Sequence, residues 1–442
     1  MKGLIFTYVL TYGGALVSLF NPYYGFLIYV CFAIIRPEAM WGFAMGSGNR
    51  FSRIVAIGLL LGWALNGFGD WRFGRARSIL ICFVGFCVWT LFSALEAIVD
   101  KEAALVQFEE YLKILLPFLV GLSLIRSVEQ LKQLAWVIVL SHGYLAYEFN
   151  LLYWQWGISP YEWMFAAMDN NGIAVTMVAA AGLAFFMGLS VSRWWQKWPC
   201  LVLAALMVHV VLFSMSRGGM LALIITGVVT FIFLPKRPVH LLLFLIALLV
   251  GLRLAGDMVW ERFLTSFAEE KDASAESRLT LWSQCIEVML RYPLFGIGPR
   301  NWELVAPQLG WQTQKAAHTT WLNVGAEMGI PGLAFLALFY LICLVRLLRY
   351  TRERTPVIDP WLRGVARMVI ASIIGFAVAA QFISVYGVEA PYYIVLLGAA
   401  LLKLQDLQIR QVVPGIWAAP GVPWGPTPGP APRIPHPYPV RS

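Results

Sequence analysis

Residues 171–190 read NGIAVTMVAAAGLAFFMGLS, a run without Asp, Glu, Lys or Arg. A helix needs about 20 mostly apolar residues to cross a bilayer. Comparable runs occur at 54–69, 78–98, 105–124, 131–152, 199–215, 217–234, 239–256, 321–346, 364–385 and 391–405. Residues 3–35 contain one or two more, interrupted at Asn21-Pro22. We therefore predict an all-α polytopic membrane protein with about 12 transmembrane helices.

The composition agrees with this fold class. Hydrophobic residues make up 60% of the 442 residues and charged residues 13%, whereas about a quarter of the residues of a soluble protein are charged. The net charge of +9 comes from basic residues in short loops, which favours orientation in a lipid bilayer over binding of nucleic acid. None of the six cysteines forms a Cys-x-x-Cys pair, so neither a zinc site nor a disulfide framework is predicted.

The loop charges predict the membrane topology. Arg and Lys are concentrated in one set of loops, at residues 72–77, 126–132, 193–197, 236–237 and 349–363. Loop 153–170 and turn 386–390 contain neither, so the positive-inside rule places the basic set in the cytoplasm. Loop 36–53 then lies outside although it carries Arg36, Arg50 and Arg53. Either the first spans are miscounted or these arginines have another role.

Two regions do not resemble membrane spans. Residues 257–320 contain four tryptophans and a helical pattern of Leu279, Trp282, Ile286 and Met289 that ends at Tyr292-Pro293. This pattern predicts one large ordered external subdomain within a transmembrane domain of residues 1–411. Residues 412–442 hold ten of the 24 prolines, which predicts a disordered Pro/Gly-rich cytoplasmic tail.

Two arginines fall in the first turns of predicted helices. Ser216-Arg217-Gly218-Gly219 opens a span, with Ser216 as the N-cap. Ser277-Arg278 opens the helical pattern of the external segment. A helix N-terminus attracts anions, a guanidinium adds a bidentate phosphate ligand, and glycine lets a ligand approach the backbone. Two such sites on one face indicate a diphosphate, whereas an arginine bound to lipid headgroups or to solvent is the alternative for each.

His318 is the candidate for acid–base chemistry. It is the one histidine of five at which the external segment enters a span, where a lipid-borne substrate and water meet. Its ordinary pKa suits a general base, and the alternative is an interfacial histidine hydrogen-bonded to its loop. Glu327, nine residues further on, either orients His318 or satisfies another neighbour.

Other polar residues are weaker candidates. Asp169 and Asn171 open a span, where an N-cap alone explains them although sugar contacts are possible. Arg300 ends a glycine-containing turn, and Glu109 and Lys113, four residues apart, predict a local ion pair. The chain has no His-Glu-x-x-His, Asp-x-Asp or Walker motif, so no metal or other cofactor is predicted.

Taken in order, these motifs resemble the O-antigen ligase/polymerase superfamily over roughly residues 160–346. The resemblance rests on Ser216-Arg217-Gly218-Gly219, Ser277-Arg278 with Trp282, Pro293-x-x-Gly296-x-Gly298, and Ala317-His318 followed by Glu327-x-Gly329. Asp169-Asn170-Asn171 and Arg36-Pro37 are most similar to the O-glycosylation ligases of the exosortase A system. Thr319-Thr320 departs from the Asn or Ser and the aromatic residue expected after the histidine.

The resemblance implies a GT-C-like multi-pass glycosyltransferase of the bacterial inner membrane, with an active site that faces the periplasm. It implies inverting, metal-independent transfer of a glycan from undecaprenyl diphosphate to an acceptor hydroxyl of a protein or of lipid A-core. By position, Arg217 and Arg278 hold the diphosphate and His318 activates the acceptor. A polysaccharide polymerase of the same superfamily and a lipid-linked oligosaccharide transporter are the alternatives. A transporter is disfavoured because the polar residues collect at one external face rather than in two related halves.

Overall fold

The computed structural model describes residues 2–42, 50–162, 164–166, 168–234, 273–311, 315–385 and 388–412, with Pro238 and Leu242. These residues are helical, and their one β-bridge joins Phe165 to Met168. Six of their helical stretches are long and apolar enough to cross a membrane. An all-helical membrane protein is therefore confirmed, while the count of about 12 spans stays a prediction. The predicted span 239–256, residues 257–272 and residues 413–442 of the tail lie outside the described residues.

The helices follow the predicted apolar runs within a few residues. We number them α1 Lys2–Phe20, α2 Pro22–Ile35, α3 Phe51–Leu65, α4 Arg77–Leu95, α5 Lys101–Leu124, α6 Val128–Trp156, α7 Asn170–Ser190, α8 Trp194–Phe213, α9 Arg217–Phe233, α10 Ala273–Arg291, α11 Thr320–Leu348, α12 Trp361–Ala379 and α13 Ala390–Val412. Short helices lie at Pro37–Met40 and Trp302–Val305, and 3-10 turns at Gly74–Ala76, Ala306–Leu309, Arg349–Thr351 and Ala380–Phe382. Helix α13 runs to Val412, seven residues beyond the predicted end at residue 405.

Residues 2–35 form a helical hairpin. Asn21 leaves the helical conformation, and its side chain caps α2 by accepting from the N–H of Tyr23. A Cβ on Gly25 would lie 1.9 Å from Ser18 Oγ, and one on Gly14 would lie 2.8 Å from Ile28 Cδ1. The earlier residue of α1, Gly14, thus pairs with the later residue of α2, Ile28, while Ser18 pairs with Gly25, so the two helices are antiparallel. The break at Asn21-Pro22 therefore separates two helices.

Among the described residues, the two sets of loops that differ in charge lie at opposite ends of the bundle. At the basic end, Arg75 pairs with Asp406, and Lys132 Nζ lies 3.5 Å from Asp359 Oδ2. Lys403, in α13, donates to the carbonyl of Leu122, 2.6 Å away. Helix α5 runs from there to the other end, which we call the site end. Which end faces the cytoplasm stays a prediction.

Loop 36–53 lies at the site end. Arg36 adopts a left-handed conformation, with φ at 50°, between α2 and the short helix that follows. Its guanidinium donates to the carbonyl of Ala166 at 2.9 Å, so this loop lies beside the uncharged loop 153–170. This hydrogen bond gives Arg36 a structural role at the site end, whereas the external placement of loop 36–53 stays a prediction.

The described part of the predicted external segment packs a small core of its own. Helix α10 ends at Arg291, as the pattern before Tyr292-Pro293 predicts. Its buried side chains, however, are Leu281, Cys285 and Val288, which pack with Ile297, Trp302, Val305, Ala317 and Ala326. Leu279 and Ile286 of the predicted apolar pattern are 49% and 42% exposed. The prediction of a helix was correct, but the predicted apolar pattern misplaced the face buried against this core.

Candidate functional site

The N-termini of α7 and α9 are joined by their capping side chains. Asp169 caps α7 by accepting from the N–H of Gly172 at 2.8 Å. Ser216 caps α9 by accepting from the N–H of Gly219 at 3.1 Å, and its hydroxyl donates to Asn171 Oδ1 at 2.7 Å. Both predicted N-caps are confirmed. The polar residues before the two spans thus form one network, with Arg217 in the first turn of α9.

The two glycines after Arg217 allow close packing. A Cβ on Gly218 would lie 2.5 Å from Phe382 Cβ, and a Cβ on Gly219 would lie 2.7 Å from Ala174 Cβ. Gly219 therefore lets α9 approach α7, and Gly218 lets it approach the 3-10 turn after α12. Helix packing accounts for both glycines, and a substrate contact at Gly218 stays a prediction.

Phe382 connects the helices that carry the two arginines. Its ring centroid lies 6.1 Å from that of Trp282 in α10, and its Cβ faces Gly218 of α9. Arg278 is one helical turn before Trp282. Segments 216–218 and 278–282, more than sixty residues apart in the chain, therefore meet at one aromatic side chain.

His318 lies where the chain enters α11. Its φ of 49° is left-handed, and it is half-buried between the fully buried Ala317 and Thr319. Thr319 caps α11. Thr320 Oγ1 donates to the carbonyl of Ile383 at 2.7 Å and accepts from the N–H of Val385 at 3.1 Å. Of the two threonines that depart from the family pattern, Thr319 therefore caps the helix after the histidine and Thr320 fixes its start to residues 383–385.

The electrostatics of His318 link it to residues predicted from separate motifs. Burial lowers the pKa of His318, the positive charge of Arg278 lowers it next, and the charge of Lys315 lowers it further. The negative charge of Asp169 raises it in opposition. A His318 pKa below its ordinary value keeps the imidazole neutral at neutral pH, which is the form that accepts a proton. His318 can therefore act as a base beside a positively charged site that suits an anion.

The glycines of Pro293-x-x-Gly296-x-Gly298 are explained by a break in α11. The helix is interrupted at Gly329, whose φ is 72° and ψ −179°. The N–H of Ile297 donates to the carbonyl of Ala326 at 3.1 Å, and that of Gly298 donates to Glu327 O at 2.9 Å. A Cβ on Gly296 would lie 2.3 Å from the carbonyl carbon of Glu327. The turn thus fixes residues 293–300 against α11.

Two candidate residues, Glu327 and Arg300, make hydrogen bonds in or beside this turn. Glu327 is fully buried, and its Oε1 accepts from the backbone N–H of Trp302 at 3.2 Å. This contact fits the alternative in which Glu327 satisfies a neighbour. Arg300 Nε donates to Gln107 Oε1 at 2.7 Å, and Arg300 lines a cavity with Arg36 and Glu389.

Phe382, Lys315 and Glu389 were missed by the sequence reasoning. No sequence pattern distinguishes Phe382, because a phenylalanine within an apolar run is typical of any membrane span. Glu389 gave a signal, since an acidic residue at the start of an apolar run is uncommon, but turn 386–390 was considered only for its lack of Lys and Arg. The local ion pair predicted at Lys113 forms, but its partner is Glu110 rather than Glu109, since Lys113 Nζ lies 2.8 Å from Glu110 Oε1.

The convergence of His318, Arg278 and Asp169 involves the segments that carry the family-like motifs. Residues 202–337 match the O-antigen ligase family model. This match supports the O-antigen ligase superfamily and, in general, an enzyme that transfers glycosyl groups. With the apolar helices, it points to a multi-pass membrane protein whose partners are the bilayer and lipid-linked glycans. It does not confirm the exosortase A subgroup.

A second match covers the N-terminal part of the chain. Residues 1–151 match a family of unknown function (DUF5935). No curated protein matches the chain. We call residues 202–337 the ligase segment and residues 1–151 the N-terminal segment. Of the candidate residues, Arg217, Arg278, Arg300, His318 and Glu327 lie in the ligase segment, whereas Asp169 and Asn171 lie between the two segments.

Proposed function

We propose that the protein transfers a glycan from undecaprenyl diphosphate to an acceptor hydroxyl, of a protein or of lipid A-core, on the periplasmic face of a bacterial inner membrane. The observation that carries this proposal is the setting of His318, which is half-buried and subject to the opposed charges of Arg278 and Asp169. The match of the ligase segment supports the class of reaction. The donor, the acceptor and the location are part of the proposal.

The reaction balances with one base and one anionic leaving group. Neutral His318 accepts the proton of the acceptor hydroxyl as its oxygen attacks the anomeric carbon. The bond between that carbon and the phosphate oxygen breaks, and undecaprenyl diphosphate leaves with the electron pair. Attack from the face opposite the leaving group inverts the anomeric configuration. The imidazolium then loses its proton to water.

Arg217 and Arg278 are assigned to the diphosphate. Arg217 lies in the first turn of α9, where free N–H groups favour an anion. The prediction that Arg278 lies in a first helical turn was wrong, because α10 begins at Ala273 and Arg278 lies in its second turn. Each arginine still carries a planar fork of donors that suits phosphate oxygens. Negative charge develops on the leaving diphosphate during transfer, so fixed positive groups stabilise the transition state. This role is assigned to the arginines rather than to a metal ion, so we expect transfer to persist in EDTA.

The first experiment compares wild type with His318→Ala, purified in lipid nanodiscs, in transfer from an undecaprenyl-diphosphate glycan to candidate acceptors. We expect transfer to fall about 100-fold or more, while binding of the donor is retained. Transfer at the wild-type rate in His318→Ala would remove this residue from the chemistry. A wild-type protein that moves the lipid-linked glycan between leaflets without transferring it would instead favour the transporter.

The second experiment tests the fork geometry. Arg278→Lys keeps the positive charge but loses the bidentate donors, so transfer should fall. Arg291→Lys is the matched control, because Arg291 is an exposed arginine at the far end of the same helix. Full activity of Arg278→Lys, or an equal loss in Arg291→Lys, would contradict the assignment to the diphosphate.

A further inference from the structure

A polar cavity of about 310 Å³ lies at the site end, between the N-terminal segment and the rest of the chain. This volume falls at the lower end of the range for small-molecule sites, about 300–1,000 Å³. Most of its lining belongs to the N-terminal segment, namely Tyr29, Phe32, Ala33, Arg36, Ser52 and Glu110. Arg300 of the ligase segment and Glu389, which precedes α13, complete its charged wall.

The charged groups of this cavity are held in place by contacts within the protein. Arg36 donates to the carbonyl of Ala166 at 2.9 Å, and Arg300 donates to the fully buried Gln107 at 2.7 Å. Glu110 pairs with Lys113, and Glu389 accepts from the hydroxyl of Tyr393. The lining carries two guanidinium groups and two carboxyl groups, so it offers both hydrogen-bond donors and hydrogen-bond acceptors to a ligand.

Glu389 adds flexibility in hydrogen bonding. Burial raises the pKa of Glu389 to about 7, although the hydroxyl of Tyr393 and the charge of Arg36 lower it in opposition. At neutral pH the carboxyl is therefore present in both forms. The ionised form accepts hydrogen bonds and the protonated form also donates one, which suits a ligand whose hydroxyl groups do both.

The cavity borders the candidate active site. Its wall includes Ala166 and Met168, and the next residue after Met168 is Asp169, which caps α7 and acts on the pKa of His318. The backbone of Phe165 and Met168 is fixed by a pair of hydrogen bonds of 3.0 and 2.8 Å. Met168 in the cavity wall is therefore adjacent in the chain to Asp169, whose charge acts on His318.

We propose that this cavity binds one neutral sugar unit of the glycan substrates, with the N-terminal segment supplying most of the subsite. The inference rests on the proposed glycosyl transfer and extends it. Sugar hydroxyl groups both donate and accept, and they match a lining of guanidinium, carboxyl and hydroxyl groups. Tyr29 supplies apolar ring surface for the C–H groups of a sugar. A phosphate or carboxylate would gain from the arginines but would meet two acidic groups.

The binding test uses the full chain in nanodiscs and the methyl glycosides of neutral hexoses and N-acetylhexosamines, with inorganic phosphate and methyl glucuronide as charged probes. Saturation-transfer NMR measures the affinity of each probe. Glu110→Gln should weaken glycoside binding about tenfold, since hydrogen bonds to charged groups are the strong ones. Glu109→Gln is the matched control, because Glu109 is the exposed neighbour on the same helix and does not line the cavity.

A second variant tests the space rather than the charge. Ala33→Leu places a larger side chain in the cavity wall and should abolish binding of the glycoside, whereas Ala39→Leu, at an exposed position, should leave it unchanged. Binding in Ala33→Leu equal to wild type would overturn the proposal. Preferential binding of phosphate or glucuronide would overturn it as well, because the site would then select an anion.

The source of the sugar is distinguished in the transfer reaction. A raised KM for the lipid-linked donor in Glu110→Gln assigns the subsite to the donor glycan, and a raised KM for the acceptor assigns it to the acceptor. Unchanged values of both KM would overturn a substrate role. Glycoside binding is also measured in His318→Ala, where we expect wild-type affinity. If His318→Ala transfers normally while the glycoside still binds, the proposed base fails and the sugar subsite stands.

Discussion

Replacing Gly296 by alanine tests how the turn of residues 293–300 is fixed against α11. Gly296 has a φ of 68°, and a Cβ there would lie 2.3 Å from the carbonyl carbon and 2.4 Å from the carbonyl oxygen of Glu327. Both atoms belong to the backbone of α11, so a side-chain rotation cannot relieve the clash. The left-handed conformation costs an alanine about 1–2 kcal/mol, and forcing an extra methyl group into a packed site costs about 1–3 kcal/mol.

Gly157→Ala is the matched control for the conformational part of this cost. Gly157 has the same φ of 68°, but a Cβ there would meet nothing within 4 Å. Gly157→Ala should therefore lower the free energy of unfolding by about 1–2 kcal/mol, and Gly296→Ala by about 2–5 kcal/mol. The difference of about 1–3 kcal/mol is the packing cost alone, a factor of about 5 or more in the unfolding equilibrium constant.

The measurement is reversible unfolding of each variant in mixed micelles with increasing SDS, followed by tryptophan fluorescence. Gly296→Ala should also lower transfer, because the same turn leads through Trp302 to the carboxylate of Glu327. Equal destabilisation by the two substitutions would refute the reasoning, since it would show that Gly296 is needed only for its backbone conformation. A Gly296→Ala protein as stable as wild type would contradict the close backbone contact itself.

Three further predictions concern the site and the tail. Asp169→Asn keeps an N-cap but removes the negative charge that raises the pKa of His318. The pKa of His318 should therefore fall, and the acidic limb of the pH profile of kcat/KM should move to lower pH. An unmoved limb, or one at higher pH, would count against this coupling. Ser216→Ala removes an N-cap and a hydrogen bond to Asn171, so the free energy of unfolding should fall by about 1–2 kcal/mol in the SDS titration, and no change would contradict the capping role. Deleting residues 412–442 should leave transfer intact if the tail is disordered, whereas loss of activity would reveal a functional element there.

The apolar runs predicted the helices because span length is set by bilayer thickness, a local property of the chain. The described helices from α3 onward begin and end close to the predicted runs. The caps at Asp169 and Ser216 were also predictable, because a capping side chain bonds to a backbone N–H only a few residues away. The break at Asn21-Pro22 was visible in the sequence, but the antiparallel pairing on either side of it was not.

The periodicity of the sequence could not predict which face of α10 is buried. Two neighbouring helical stripes on α10 are apolar. Leu281, Cys285 and Val288 fill the small core, whereas Leu279 and Ile286 of the other stripe stay exposed. The choice depends on the partners supplied by residues 297–326, which the local pattern does not contain. The choice of Glu110 over Glu109 as the partner of Lys113 was likewise undetermined, since both spacings place the two side chains on one helical face.

By itself, the sequence determined the fold class, the positions of most helices, and which residues were candidates for an anion site and a base. Tertiary structure alone decided that Phe382 lies between Gly218 and Trp282, and that Asp169 and Arg278 act in opposite directions on the pKa of His318. It also decided that the N-terminal segment forms most of a polar cavity beside them. The physical reason is the distance along the chain over which each kind of interaction acts. Hydropathy and capping act within a helix, whereas a site assembled from several helices depends on contacts between segments far apart in the chain.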